Sequence, residues 1–218
     1  MSGFVLRAAR PGDEPGAYHV CLRTGDHGAD GEPFYRDDPD ALGRIYAGPY
    51  LAFAPEFALI LEDEAGIAGY ALGVADTRAF HAWYEREWRP RLCARFPAPT
   101  GPREHWSRVQ EVHDLYHHPD YFAPEPYAYF PAHLHIDLLP RAQGAGWGRR
   151  MITALCDRLR ERGVPGVHLG MSARNRRADG FYRRLGFHEL ARVGDDRDGC
   201  VYLGLDLRAG GRSGGARA

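Results

Sequence analysis

Lysine is missing: all 28 basic residues are arginine. A chain without lysine has no Schiff-base amine and no phosphate-binding Walker loop, which needs Gly-Lys-Ser/Thr. Cysteine is scarce. Cys21, Cys93, Cys156 and Cys200 lie far apart with no CxxC pair, which argues against a disulfide scaffold or zinc ribbon and for four reduced, buried thiols. Long apolar runs are also missing. Stretches such as 57–61 fall far short of the roughly 18 residues of a membrane span. Nor is there charge of one sign: the net charge is −1, so neither nucleic acid nor an anionic membrane is an expected partner. The first residues, MSGFVLRAARPGDE, contain no apolar h-region, so a cytoplasmic protein without a secretory signal is expected.

What is there reads as an ordinary globular chain of 218 residues, 44% hydrophobic and 26% charged, which excludes disorder and collagen. Residues 4–8 form a strand candidate, and Asp13 can cap a helix running to about Arg23. Residues 25–38 are polar and turn-rich, and 39–46 read as a short helix. A hairpin follows, with strands 57–62 and 67–74 around the turn Asp63-Glu64-Ala65-Gly66. Residues 77–131 hold 12 of the 26 aromatics and three of the four tryptophans. They read as an insertion with helices over 78–96 and 103–117, packed on the main domain so that its rings are buried. Residues 133–139 are a strand, 147–162 a helix with Met151, Leu155 and Leu159 spaced by four, 167–171 a strand and 175–185 a helix. Residues 187–193 and 200–207 make a final hairpin. The expectation is a single α/β domain over 1–207, with a flexible tail over 208–218.

The sharpest signal is the run Leu138-Leu139-Pro140-Arg141-Ala142-Gln143-Gly144-Ala145-Gly146-Trp147-Gly148-Arg149-Arg150. A strand ends at a proline, and three alternating glycines open a helix. Without Cβ atoms a ligand can reach the main chain, and the helix N-terminus adds a partial positive charge, so the run is an anion site suited to pyrophosphate. A Walker loop is excluded by the missing lysine. A dinucleotide GxGxxG is not matched, since the third glycine comes one residue early and the motif follows four strands instead of opening the chain. Coenzyme A is the third reading.

At these residues the chain resembles the GCN5-related N-acetyltransferases (GNAT), whose pyrophosphate loop reads Q/R-x-x-G-x-G/A. Gln143, Gly144, Ala145, Gly146, Trp147 and Gly148 fit it. Asn175-Arg176-Arg177-Ala178-Asp179-Gly180-Phe181-Tyr182-Arg183-Arg184-Leu185-Gly186-Phe187 looks like the family's N-x-x-A-x-x-F-Y-x-x-x-G-F. From about Leu6 to Leu207 the chain further resembles the C-terminal acetyltransferase-like domain of O-GlcNAcase and its free-standing bacterial relatives. That impression is carried by LEDEAGIAGYALG at 61–73, Phe130-Pro131 and Asp137. The animal domain is regarded as a pseudo-acetyltransferase lacking the loop glycines, which this chain has.

The resemblance implies a mixed, mostly antiparallel sheet of about seven strands with helices on both faces, and acetyl-CoA as cofactor. It makes the amide of Leu138 or Leu139 the donor to the acyl carbonyl, Tyr182 the acid for the departing thiolate, and Asn175 a cofactor contact. Asn175 reads equally well as a helix cap, and Tyr182 as a packing residue. Arg149 and Arg150, at the helix start, are phosphate candidates or a solvated face. Along the strand, Leu134, Ile136 and Leu138 make an apolar face and His133, His135 and Asp137 a polar one. Asp137 is the first candidate for the base, or for gripping a cationic acceptor, followed by His135 and His133. Asp76 is a further cleft candidate. His133/His135 and His117-His118-Pro119-Asp120 lack a full metal-ligand set, so no metal is expected. Trp83, Trp88, Trp106, Tyr127 and Tyr129 either wall the acceptor pocket or simply pack.

Three functions follow. The first is an acetyl-CoA-dependent N-acetyltransferase acting by direct attack in a ternary complex on a small amine or peptide. The second is a non-catalytic CoA-binding or interaction module, and the third a dinucleotide oxidoreductase. The final hairpin leaves a homodimer open.

Overall fold

The computed structural model describes residues 3–121, 129–196 and 199–208. Tyr127 and nearly all of the 208–218 tail therefore lie outside the described residues. The chain runs β1 (Val5–Ala8), α1 (Glu14–Arg23), α2 (Gly43–Tyr46), α3 (Gly48–Phe53), β2 (Ala58–Asp63), β3 (Gly66–Val74), α4 (Thr77–Trp83), α5 (Arg89–Arg95), α6 (Arg108–His117), β4 (Ala132–Leu138), α7 (Trp147–Glu161), β5 (Gly166–Ser172), α8 (Arg176–Arg184), β6 (His188–Val193) and β7 (Cys200–Asp206). The sheet order is β1-β2-β3-β4-β5-β7-β6, and the pairing is antiparallel except between β4 and β5.

Side-chain alternation on β3 divides the molecule into layers. Ala71 and Gly73 are small, and a Cβ at Gly73 would stand 3.2 Å from Leu155, so α7 beds closely on this face. Its buried stripe is Met151, Ile152, Leu155, Cys156 and Leu159, the spacing that the sequence pattern gives. Each such side chain contributes about 1.5–3 kcal/mol, which fixes where the N-terminus of α7 points. The opposite face carries Tyr70, Leu72 and Val74 and is covered by α1 and α3.

Three local expectations are corrected. The helix expected over 39–46 is confined to Gly43–Tyr46, and a further helix, Gly48–Phe53, follows with Pro49 in its first turn, where proline costs no hydrogen bond. The stretch over 78–96 is not one α-helix: residues Tyr84–Trp88 form a π turn in which the Arg89 N–H reaches Tyr84 O. Pro90 next to it has no N–H and crowds the carbonyl four residues back, so the regular ladder cannot continue. α6 begins at Arg108, not 103, because Ser107 and Gln110 close a reciprocal capping box.

The strands β4 and β5 pair only at Ala132↔Val167 and His133↔His168. Beyond that point the parallel ladder stops, and the sheet is split down its middle.

Candidate active site

The split exposes main-chain groups. The Leu139 N–H donates to Ala68 O at 2.8 Å, and that pairing sets the alternation along β4. His133, His135 and Asp137 bond to β3, while the N–H and C=O groups of Leu134, Ile136 and Leu138 turn toward the gap. The Leu138 carbonyl is taken by the Gln143 side-chain amide at 2.7 Å, and the Leu138 N–H is left facing the opening. Of the two expected carbonyl donors, Leu139 is thus corrected: its amide belongs to the sheet.

At the end of the gap, Gly144 and Gly146 both adopt positive φ, +83° and +81°, a conformation that costs other residues energy. No atom lies within 4 Å of a Cβ built on either, so the bend is open to a ligand. Gly148 has a different reason: its Cβ would stand 3.1 Å from Phe181 and 3.4 Å from Leu138, so this glycine lets α7 pack against α8 and β4. Gly146 is the N-cap of the 15-residue α7, whose first amides and dipole therefore face the opening.

A cavity of about 650 Å³ occupies this end. Gln143, Gly144, Gly146, Gly148 and Arg149 line it, and α8 adds Arg177 and Arg184, which the sequence reading did not single out. Arg177 donates to Gln143 Oε1 at 2.6 Å, tying the glycine bend to α8. Ala145, Trp147 and Leu139 do not line the cavity. Trp147 packs edge-on against Phe4 with Arg150 stacked on its ring, which removes Arg150 as a phosphate candidate.

A second cavity of about 410 Å³ adjoins the first. The two share Asp137, Asn175, Tyr182 and the turn Thr24, His27 and Gly28. Asn175 caps a helix, one of its two readings, and it lines both cavities. Its Oδ1 accepts from the Ala178 N–H at 3.0 Å and caps α8, while its Nδ2 would stand 3.0 Å from a Cβ on Gly28, where the turn crosses the cleft. His27 holds a left-handed φ of 51°, a strain that no residue type announces in advance.

Tyr182 is 8% exposed. Its hydroxyl has no hydrogen-bond partner among the described residues, and no buried side-chain polar atom is left unpaired there, so it opens on the cavity. Burial, with nearby Asp137, holds the phenol above its usual pKa, so it is protonated at neutral pH. Across from it, Tyr70 OH donates to Asp137 Oδ2 at 2.5 Å, and His135 Nε2 lies 3.0 Å from the same oxygen. Burial first, and Asp137 second, hold the Tyr70 phenol far above the ordinary range. His135 Nδ1 has no protein partner among the described residues. The imidazole is stacked between Tyr46 and Tyr70, each with its ring centre 5.7 Å away.

His133 points elsewhere. Thr77 Oγ1 and Tyr50 OH hold its two nitrogens, each at 2.8 Å, and burial drives its pKa well down. Asp76 caps α4 through the Arg78 and Ala79 amides. Of the two readings of the tryptophans, packing is the one observed. Trp83 packs on Phe53 and Trp88, Trp88 and Trp106 donate their indole N–H to backbone carbonyls, and none lines a cavity. The insertion instead reaches the site through α6, with Arg108, Glu111, Val112 and Leu115.

A split sheet with a glycine-opened helix N-terminus at the gap defines the GNAT class of fold. The sequence matches the acetyltransferase (GNAT) family over residues 27–187, and the chain belongs to that family. The crystal structure of SsHAT is similar, at 42% identity and a TM-score of 0.83, covering 94% of this chain and 98% of that one. A putative acetyltransferase from Salmonella typhimurium, yncA, solved with its cofactor acetyl-CoA, shares the fold at 16% identity and a TM-score of 0.53, over 94% of each chain. Protein O-GlcNAcase of Rattus norvegicus is 28% identical over 205 residues, 94% of this chain and 22% of the relative. The chain thus spans about a fifth of the curated relatives that it matches. No helix among the described residues is long and apolar enough to cross a membrane.

Proposed function

We propose that the protein is an acetyl-CoA-dependent N-acetyltransferase that joins donor and amine acceptor in one cleft, without an acyl-enzyme. The observation that carries this reading is the pair of positive-φ glycines, 144 and 146, standing open at the N-terminus of α7. Main-chain donors there, with Arg149, Arg177 and Arg184, suit the phosphates of CoA. When bound, acetyl-CoA supplies an activated acyl carbon and a thiolate leaving group.

The chain's own residues cover the remaining demands. The Leu138 N–H, fixed by the β3–β4 register, polarises the acyl oxygen. His135 Nδ1 takes the proton of the attacking nitrogen, and Asp137 with Tyr70 behind it holds the imidazole in place and steadies its positive form. Tyr182, protonated and turned into the cavity, gives its proton to the departing sulfur. Asp137 thus acts as an orienting residue and His135 as the base, a choice the sequence left open. The direct route fits the cysteines: Cys21 lines the second cavity but is buried, which holds its thiol protonated well above the ordinary range, and the other three line neither cavity.

Calorimetry with acetyl-CoA and with NAD, followed by a thiol-release assay over a panel of amines, tests the reading. Binding of acetyl-CoA alone and amine-dependent thiol release are expected. Binding of NAD in its place, or acetyl-CoA binding with no turnover on any amine, overturns it.

A further inference from the structure

We propose that the acceptor arm selects a cationic amine carried on a flat apolar body and lacking an acidic group. This inference rests on the acetyltransferase reading and adds the substrate class. Two features of the second cavity carry it.

The first is aromatic. Among the described residues five large hydrophobics are markedly exposed, and two of them, Phe34 at 48% and Tyr46 at 37%, stand on this cavity. Exposed rings gathered at one opening mark a surface waiting for a partner. Tyr46 is also the ring stacked on His135. A flat group seated against Tyr46 and Phe34 therefore lies beside the base, and its amine has only a short reach to the gap. Leu42, Val112 and Leu115 extend the apolar wall.

The second is charge. The donor arm is lined by Arg149, Arg177 and Arg184. The acceptor arm has the opposite balance: Asp26, Glu111 and Asp137 against Arg108 alone. Arg108 Nη1 lies 3.4 Å from Glu111 Oε2, while Asp26 and Asp137 face only the imidazoles of His27 and His135 and the Tyr70 hydroxyl, so carboxylates outnumber guanidinium groups here three to one. This field draws in an ammonium, which aromatic faces also favour, and repels a carboxylate or phosphate on the acceptor. An amino sugar lacks the flat apolar body, and an amino acid carries the wrong charge.

The test pairs 2-phenylethylamine with phenylalanine, which adds only a carboxylate, and with glucosamine, which replaces the ring by a polar body. Steady-state rates are measured with acetyl-CoA, and binding of each amine is measured separately by calorimetry with CoA present. The expected result is a kcat/KM for phenylethylamine at least about tenfold above both others, with binding in the same order. Phe34→Ala and Asp26→Asn raise its KM severalfold and leave kcat in place. Equal or better use of phenylalanine or glucosamine overturns the proposal, as does acetyl-CoA binding without acetylation of phenylethylamine. If acetyl-CoA itself fails to bind, the acetyltransferase reading falls, and the amine-binding order still decides this one.

Discussion

The two arms of the cleft are assembled in different ways. Apart from the turn at Thr24, His27 and Gly28 that it shares with the other arm, the donor arm comes from the second half of the chain: the end of β4, the bend at Gly144 and Gly146, the first turn of α7, and α8 with Arg177 and Arg184. Its recognition chemistry is main-chain N–H and arginine. The acceptor arm collects Asp26, Phe34 and Tyr46 from the first quarter of the chain, Glu111 and Leu115 from α6, His135 and Asp137 from β4, and Met171 from β5. A local backbone motif suits a ligand common to a whole family, whereas side chains gathered from distant segments can change one at a time and suit a ligand particular to one member.

The comparison can be broken most sharply at the junction. Tyr182→Phe removes the proton donor and keeps the ring. The rate should fall by about 10²–10⁴-fold, the range for one acid–base group, with acetyl-CoA affinity in calorimetry unchanged. An unaltered rate would make Tyr182 a packing residue. His135→Gln should lower kcat by about 10²-fold or more. Asp137→Asn should lower it less, because the isosteric carboxamide keeps the ring in place and removes only the charge that steadies the imidazolium. A larger loss in Asp137→Asn than in His135→Gln would reverse their roles.

A change confined to the donor arm should leave amine binding alone. Gly146→Val forces a β-branched residue to a φ of 81°, at about 1–3 kcal/mol, and crowds the open bend. Acetyl-CoA should bind at least about tenfold more weakly while phenylethylamine binding with CoA absent is preserved. Arg177→Ala, which removes one charge and the tie to Gln143, should weaken acetyl-CoA severalfold and steepen no other parameter. Loss of amine binding in either variant would mean that the arms are not separable.

The smallest expected effect concerns stability, not catalysis. His133 and His168, the latter 5% exposed, have pKa values lowered chiefly by burial. Their unfolded forms take protons near pH 6.5 while the folded forms stay neutral, so stability is full above that pH and declines as pH falls below it. The slope is at most about 1.4 kcal/mol per pH unit for each histidine. A melting temperature that holds level from pH 7 to pH 5 would show that these imidazoles already accept protons in the folded state.

Much of this was legible in the residues. The hairpin of β2 and β3, the amphipathic stripe of α7 and the glycine bend all declare themselves, because period, turn chemistry and missing Cβ atoms act over a few neighbours. The site was legible where it follows a motif, as at Gln143, Gly144, Gly146, Asn175 and Tyr182. It was illegible where it depends on contact. Arg177 and Arg184 differ in nothing local from Arg183, which pairs with Asp179 and Glu189 outside the cleft. Whether Trp83 and Trp88 walled a pocket or packed stayed open, because aromatic content carries no direction. The strain at His27 and the ring stack on His135 have no sequence signature at all.

By itself the order of residues determined that a strand runs into a glycine-opened helix whose first main-chain donors stand clear of Cβ atoms, since main-chain donors and helix dipoles arise from local geometry. The tertiary structure alone decided which strand amide faces the gap, which carboxylate stands beside His135 and which rings meet there. Those depend on the β3–β4 register and on segments far apart in the chain, and distance in sequence says nothing about the few ångströms over which protons move.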